Sequence, residues 1–172
     1  MSISFLDPEV NVMDKGRYGR KDRLIREKCH DTYMEKVKKT DGAFCRVCGA
    51  VYEGGRWTWN NSPASGSDTT CPACQRISDN YPAGVLTIAG PFSREHRSEI
   101  LNMVTNIADQ EKGEHPLERI MDMEKKNDTL TIRTTGIHLA RRMGDALRRS
   151  YRGDYALQYD DGDKAVKISW ER

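Results

Sequence analysis

The chain has 172 residues, 28 Lys and Arg against 26 Asp and Glu, a net charge of +2, and is 37% hydrophobic and 31% charged. That length accommodates one or two small domains, and no apolar run approaches the roughly 20 residues of a membrane-spanning helix. The first eight residues, Met1 to Pro8, have no basic segment, apolar core or small-residue cleavage site, so no secretory signal is read. A reducing cytoplasm is therefore expected, where five cysteines imply metal binding, redox chemistry or burial rather than disulfides.

Residues 1–40 read as a basic arm and helix. Between positions 15 and 28, seven bases (Lys15, Arg17, Arg20, Lys21, Arg23, Arg26 and Lys28) face two acids, Asp22 and Glu27. Gly16 and Gly19 oppose a helix at the start of this run, and a helix is predicted over 22–39. Each base that reaches a phosphate releases condensed counterions, so a flexible arm of this composition suits RNA. A solubilising tail is the alternative. Cys29 has no partner at ligand spacing and reads as a free thiol.

Residues 41–80 read as a zinc ribbon. Cys45-Arg46-Val47-Cys48-Gly49 and Cys71-Pro72-Ala73-Cys74 are two Cys-x-x-Cys pairs with 22 residues between them. Two intervening residues let both thiolates of a pair face one ion, and two such knuckles complete a tetrahedral site. Gly49 suits a knuckle because it tolerates positive φ. The turn formers around both pairs argue against a thioredoxin-like redox site, which opens a helix. One structural Zn²⁺ held by Cys45, Cys48, Cys71 and Cys74 is expected, and the ligand set also permits an Fe–S cluster. Arg46 and Arg76 are expected to offset the site's negative charge. Between the pairs, Arg56, Trp57 and Trp59 can stack on unpaired bases or cover the ribbon's small core.

Residues 81–172 alternate strands and helices. Residues 84–90 read as a buried strand, Ser93 as the cap of a helix with Ile100, Val104, Ile107 and Ala108 inward, and Gly113 as its end. Strands are predicted over 117–124 and 130–134. Thr135 then caps a helix whose Ala140, Met143, Leu147 and Tyr151 form a buried stripe. Arg141, Arg142, Arg148, Arg149 and Arg152 on that helix are candidate RNA contacts, with a solvated, ion-paired face as the alternative. A terminal hairpin follows, with Tyr155, Leu157 and Tyr159 alternating, then Val166, Ile168 and Trp170. The order β-α-β-β-α-β-β predicts an α+β fold, a ferredoxin-like two-layer sandwich with an added strand.

Neither a phosphate-binding Gly-x-x-x-x-Gly-Lys loop nor a dinucleotide fingerprint is present, and the four histidines form no metal-protease motif. In Glu114-His115-Pro116-Leu117-Glu118-Arg119, a histidine between acids is the one candidate for acid-base chemistry. The sequence identifies no small-molecule substrate.

The paired cysteine motifs, with Gly55-Arg56-Trp57, Tyr81-Pro82-Ala83-Gly84, the run from Glu114 to Met121 and His138-Leu139-Ala140-Arg141-Arg142, resemble short bacterial zinc-ribbon proteins. More distantly, the cysteine pairs and the segment from Thr134 to Leu147 are similar to the archaeal and eukaryotic adaptor that escorts the large ribosomal subunit in export. That adaptor family carries further cysteine pairs and domains that this chain lacks. The resemblance implies ribosomal RNA or the ribosome as partner. The resulting expectation is a non-catalytic, ribosome-associated RNA-binding protein acting when translation is restrained, as in stress or hibernation. The alternatives are a DNA-associated transcription accessory factor and an enzyme using the His115 region.

Overall fold

The computed structural model describes Tyr33 and residues 40–60, 66–160 and 165–172. The basic arm and its predicted helix, with Lys15, Arg17, Arg20, Lys21, Arg23, Arg26 and Cys29, lie outside the described residues apart from Tyr33. No described helix is long and apolar enough to cross a membrane.

The ribbon is a small sheet of β1 (Phe44–Cys45), β2 (Val51–Glu53), β3 (Arg56–Thr58) and β4 (Asp68–Thr69), followed by the helix α1 (Pro72–Ser78). Its order is β3-β2-β1-β4. Gly54 and Gly55 both take positive φ, 56° and 81°, as the two-residue turn that pairs Glu53 with Arg56 requires. Trp57, 8% exposed, fills the core of this sheet, with its ring edge-on to Tyr52 at 5.6 Å. Large apolar side chains are scarce in this segment, so the tryptophan is consumed by packing.

The C-terminal half contains β5 (Gly84–Ala89), α2 (Pro91–Glu95), α3 (Arg97–Glu114), β6 (Ile120–Lys126), β7 (Thr129–Thr134), α4 (Ile137–Tyr151), β8 (Asp154–Asp160) and β9 (Ala165–Glu171). The molecule is thus α+β, with the elements in the order read from the sequence. The sheet order is β6-β7-β5-β9-β8. A ferredoxin-like sheet sets its fourth strand antiparallel beside its first. Here β9 holds that place and runs parallel to β5, while β8 lies at the edge. Burial accounts for the exchange within the hairpin: Val166, Ile168 and Trp170 of β9 are buried, whereas Tyr155, Leu157 and Tyr159 of β8 are half-exposed. The more apolar strand takes the interior.

Ile100 and Val104 of α3 and Leu139, Ala140, Met143 and Leu147 of α4 pack with Leu86, Ile132, Ile168 and Trp170 in one cluster. Full burial of each large apolar side chain contributes about 1.5–3 kcal/mol. The predicted stripe of α4 is therefore the stripe observed, with Leu139 added and Tyr151 at its margin.

Both predicted helix caps are corrected. The first helical segment begins at Pro91 after Gly90, and Ser93 lies inside it, buried, its hydroxyl donating to the Gly90 carbonyl at 2.8 Å. Its continuation α3 runs through Gly113 to Glu114 before Pro116 ends it. At α4 the cap residue is Gly136, without a side-chain bond of its own. Thr135 instead donates its hydroxyl to the Leu117 carbonyl at 2.6 Å and accepts the Arg119 N–H at 2.9 Å. The α4 cap comes from a distant residue, Glu118, whose Oε2 accepts the Leu139 N–H at 3.0 Å. This engagement holds residues 117–119 as a loop, so β6 starts at Ile120 rather than 117.

A Cβ at position 136 would overlap the Glu118 carboxylate. Gly136→Ala should displace the cap and cost about 1 kcal/mol, the usual value of a lost cap. Urea unfolding checks this; a midpoint equal to that of the wild type would contradict the assignment.

Candidate metal centre

Cys45 closes β1, and the turn after it returns through Gly49, whose N–H bonds the Cys45 carbonyl at 2.8 Å. Gly49 has φ of 78° with open space where a Cβ would stand, so the backbone conformation alone calls for glycine. The Arg46 N–H reaches the Thr69 carbonyl at 3.0 Å and ties this knuckle to the strand leading into the second. There Cys71 is the N-cap of α1, its sulfur accepting the Cys74 N–H at 3.4 Å, with Pro72 in the first turn. The second pair therefore opens a helix, contrary to the expectation of turns around both pairs. Convergence of all four thiols, not the absence of a helix, sets this site apart from a thioredoxin-like pair.

The four Sγ atoms lie within 4.8 Å of one another, and Cys48 and Cys71 are 3.7 Å apart. Metal–sulfur bonds of about 2.3 Å in a tetrahedron place sulfurs about 3.8 Å apart, so the set fits one metal ion. The Cys71 N–H donates to Cys45 Sγ at 3.2 Å, an orienting bond common around metal thiolates. Cys45, Cys71 and Cys74 are buried and Cys48 is half-buried. Burial pushes the Cys71 and Cys74 thiols up, and at Cys71 the neighbouring Cys48 charge adds to it. Burial also acts upward on Cys45, but N–H donors from Cys71, Cys48 and Val47 outweigh it and hold that thiol at about 6. Protons compete with a metal for such ligands, so metal affinity weakens as pH is lowered.

The charge partner of the site is Arg119. Its guanidinium donates to Cys48 at 3.1 Å, Cys74 at 3.4 Å and Cys71 at 3.5 Å, lies 5.5 Å from the Trp59 ring centroid, and bonds the Pro116 carbonyl. Burial lowers the Arg119 pKa, but the Cys48 and Cys74 sulfurs outweigh it and push it up. The two arginines expected in this role are elsewhere. Arg46 is exposed. Arg76 is buried, donates to the Tyr81 carbonyl and lies 4.3 Å from the Tyr33 ring centroid. Arg119 is 71 residues from Cys48, and no sequence spacing announces it.

The remaining candidate residues are dispersed. Arg56 is exposed on the ribbon hairpin, Trp57 faces inward, and Trp59 donates to the Lys112 carbonyl beneath Arg119. The base-stacking role read for Trp57 gives way to core packing. On α4, Arg141 is half-buried, Arg142 pairs with Glu111, Arg148 covers Tyr155 at 5.4 Å, and Arg149 and Arg152 are exposed.

Between the ribbon hairpin and the loop after α3 lies a cleft of about 910 Å³. Arg56 stands on one wall, and His115, Glu118 and His138 on the other. Burial pushes the Glu118 carboxyl up, against the lowering effects of the Leu139 N–H and both histidines.

Comparisons with protein-family models, curated proteins and solved structures found no match.

Two outcomes test these electrostatics. Arg119→Met removes the cation while keeping the apolar stem; metal affinity, measured by competition with a chromogenic chelator, should fall about 10- to 100-fold. Unchanged affinity would show that the contacts are incidental. For Glu118, a folded-state pKa above the unfolded one gives stability that is fully present below the unfolded pKa and lost as pH rises through the folded pKa. Glu118→Gln lacks that loss, so its stability relative to the wild type should grow as pH rises above the ordinary carboxylate range; a constant difference in urea midpoints contradicts this.

Proposed function

We propose that the protein is a non-catalytic zinc-ribbon protein of the cytoplasm that binds ribosomal RNA on the large subunit or intersubunit face when translation is restrained. Four sulfur ligands leave a zinc ion no position for a water, so the metal is read as structural. Zinc is favoured over an Fe–S cluster because the four sulfurs lie within 4.8 Å of one another, the spacing of a tetrahedron around a single ion rather than of ligands spread around a multi-iron cluster.

The observation that carries the RNA reading is the basic end of α4. Arg148, Arg149 and Arg152 cluster there and have no ion pair among the described residues. Arg172 joins them, donating to the Tyr151 carbonyl with its guanidinium 4.4 Å from the Phe92 ring centroid. Sequence reading missed this arginine, because the last strand alone brings it to the helix end. Guanidinium groups at a helix C-terminus complement its dipole and keep donors available for phosphate. The basic arm adds a second phosphate-binding segment.

The open sheet face has the opposite character. Strand alternation and register put Asp122, Glu124, Asp154, Asp160 and Glu171 on it, against Lys126, Arg133 and Lys167. An acidic face repels phosphate, so RNA is assigned to the helix end rather than to the sheet.

Replacing Arg148 and Arg149 together by Glu should weaken binding to ribosomal RNA and reduce the slope of log affinity against log salt by about 1 for each phosphate that is no longer neutralised. Fluorescence anisotropy with duplex DNA as competitor measures both. An unchanged slope, or tighter binding to the duplex than to the RNA, contradicts the reading.

A further inference from the structure

The cleft between ribbon and sheet domain is not used by the metal or by the arginine cluster, yet its polar groups converge. Its volume of about 910 Å³ lies in the range of small-molecule sites, about 300–1,000 Å³, which favour domain boundaries. Glu118 is fixed there through Oε2 on the α4 backbone. Its Oε1 has no hydrogen-bond partner among the described residues. The cleft-lining loop and the glycine at 136 both make room for this carboxylate. Pro72, Pro116 and Leu117 supply apolar lining. Arg56 is exposed at the rim, and His115 and His138 stand exposed across from it.

A ligand matched to these walls has a flat ring, a donor edge for a carboxylate and an anionic substituent for the Arg56 guanidinium and the imidazole N–H donors. Nucleobases differ in that edge. Guanine alone presents two adjacent donors, N1–H and N2–H, which a carboxylate accepts together. Adenine and cytosine set an acceptor beside their amino group, and uracil flanks its one donor with carbonyls, so each places a lone pair against a carboxylate oxygen.

We infer that the cleft binds a guanine base, its N1–H and N2–H on Glu118 and its phosphate toward Arg56, His115 and His138. The base belongs either to a free guanine nucleotide or to an unpaired guanosine in RNA. Only the second source rests on the RNA-binding reading above.

Metal-loaded full-length protein is titrated calorimetrically with GMP and AMP, and with single-stranded A/U oligomers that contain one guanosine or none. GMP should bind at least about tenfold tighter than AMP, the discrimination of a good bidentate pair. Glu118→Gln, which keeps an oxygen for the Leu139 N–H, should erase that preference while retaining metal content and a cooperative melt. Arg56→Gln, on the exposed hairpin, should weaken GMP several-fold and leave guanosine unchanged. Equal binding of GMP and AMP, or a guanine preference that survives Glu118→Gln, overturns the inference. Oligomer binding without guanosine preference, together with equal binding of GMP and AMP, overturns it while leaving the RNA reading intact. Selective GMP binding without oligomer binding supports the base site with a free nucleotide as its source.

Discussion

One half-buried cation against a cluster of sulfurs organises this molecule. Four thiolates around a divalent ion carry a net charge of −2, and burying such a group without a counter-charge is costly. Arg119 supplies one positive charge from outside the ribbon, offsetting half of it, with contacts to three of the four sulfurs. The guanidinium is itself half-buried, so each partner compensates the desolvation of the other. Arg119 belongs to the loop entering β6, and the four-cysteine cluster therefore ties the two halves together. Trp59 on Lys112, and Leu117 against the ribbon cluster, complete the junction.

The same loop links the cysteine cluster to the cleft. Arg119 points to the sulfurs while its neighbour Glu118 points to α4, and Thr135 bonds the backbone between them. Residues 117–119 are thus bonded to other elements at both ends. Such bracing gives a carboxylate the fixed position that selective recognition needs, and a shift in the metal site would be transmitted one residue along the chain. The near-zero net charge hides a similar division of labour. Acids occupy the open sheet face, bases the end of α4 and the arm, and the two populations cancel only in the sum.

Features that depend on near neighbours were legible in the sequence. The Cys-x-x-Cys pairs are local because two residues suffice to turn both thiols to one point. The α4 stripe and the terminal hairpin follow from 3.6- and 2-residue periods. The order of the last two strands was not readable, since both alternate, and their relative burial decides which goes inside. Arg119, the cap provided by Glu118 and the placement of Arg172 join residues distant in the chain, and such pairs leave no period. Trp57 was ambiguous for a different reason: an aromatic beside an arginine has the same signature whether it stacks on a base or fills a core. Thr135 and Ser93 carry the right chemistry for caps but lie one residue before and three residues after the true cap positions. Their hydroxyls satisfy loop and helix carbonyls instead.

The most direct test of this account is X-ray absorption at the metal edge of protein purified under reducing conditions. The account predicts one zinc per chain with four sulfur neighbours at about 2.3 Å. A nitrogen or oxygen neighbour in the first coordination sphere, or substantially less than one metal per chain, would contradict it.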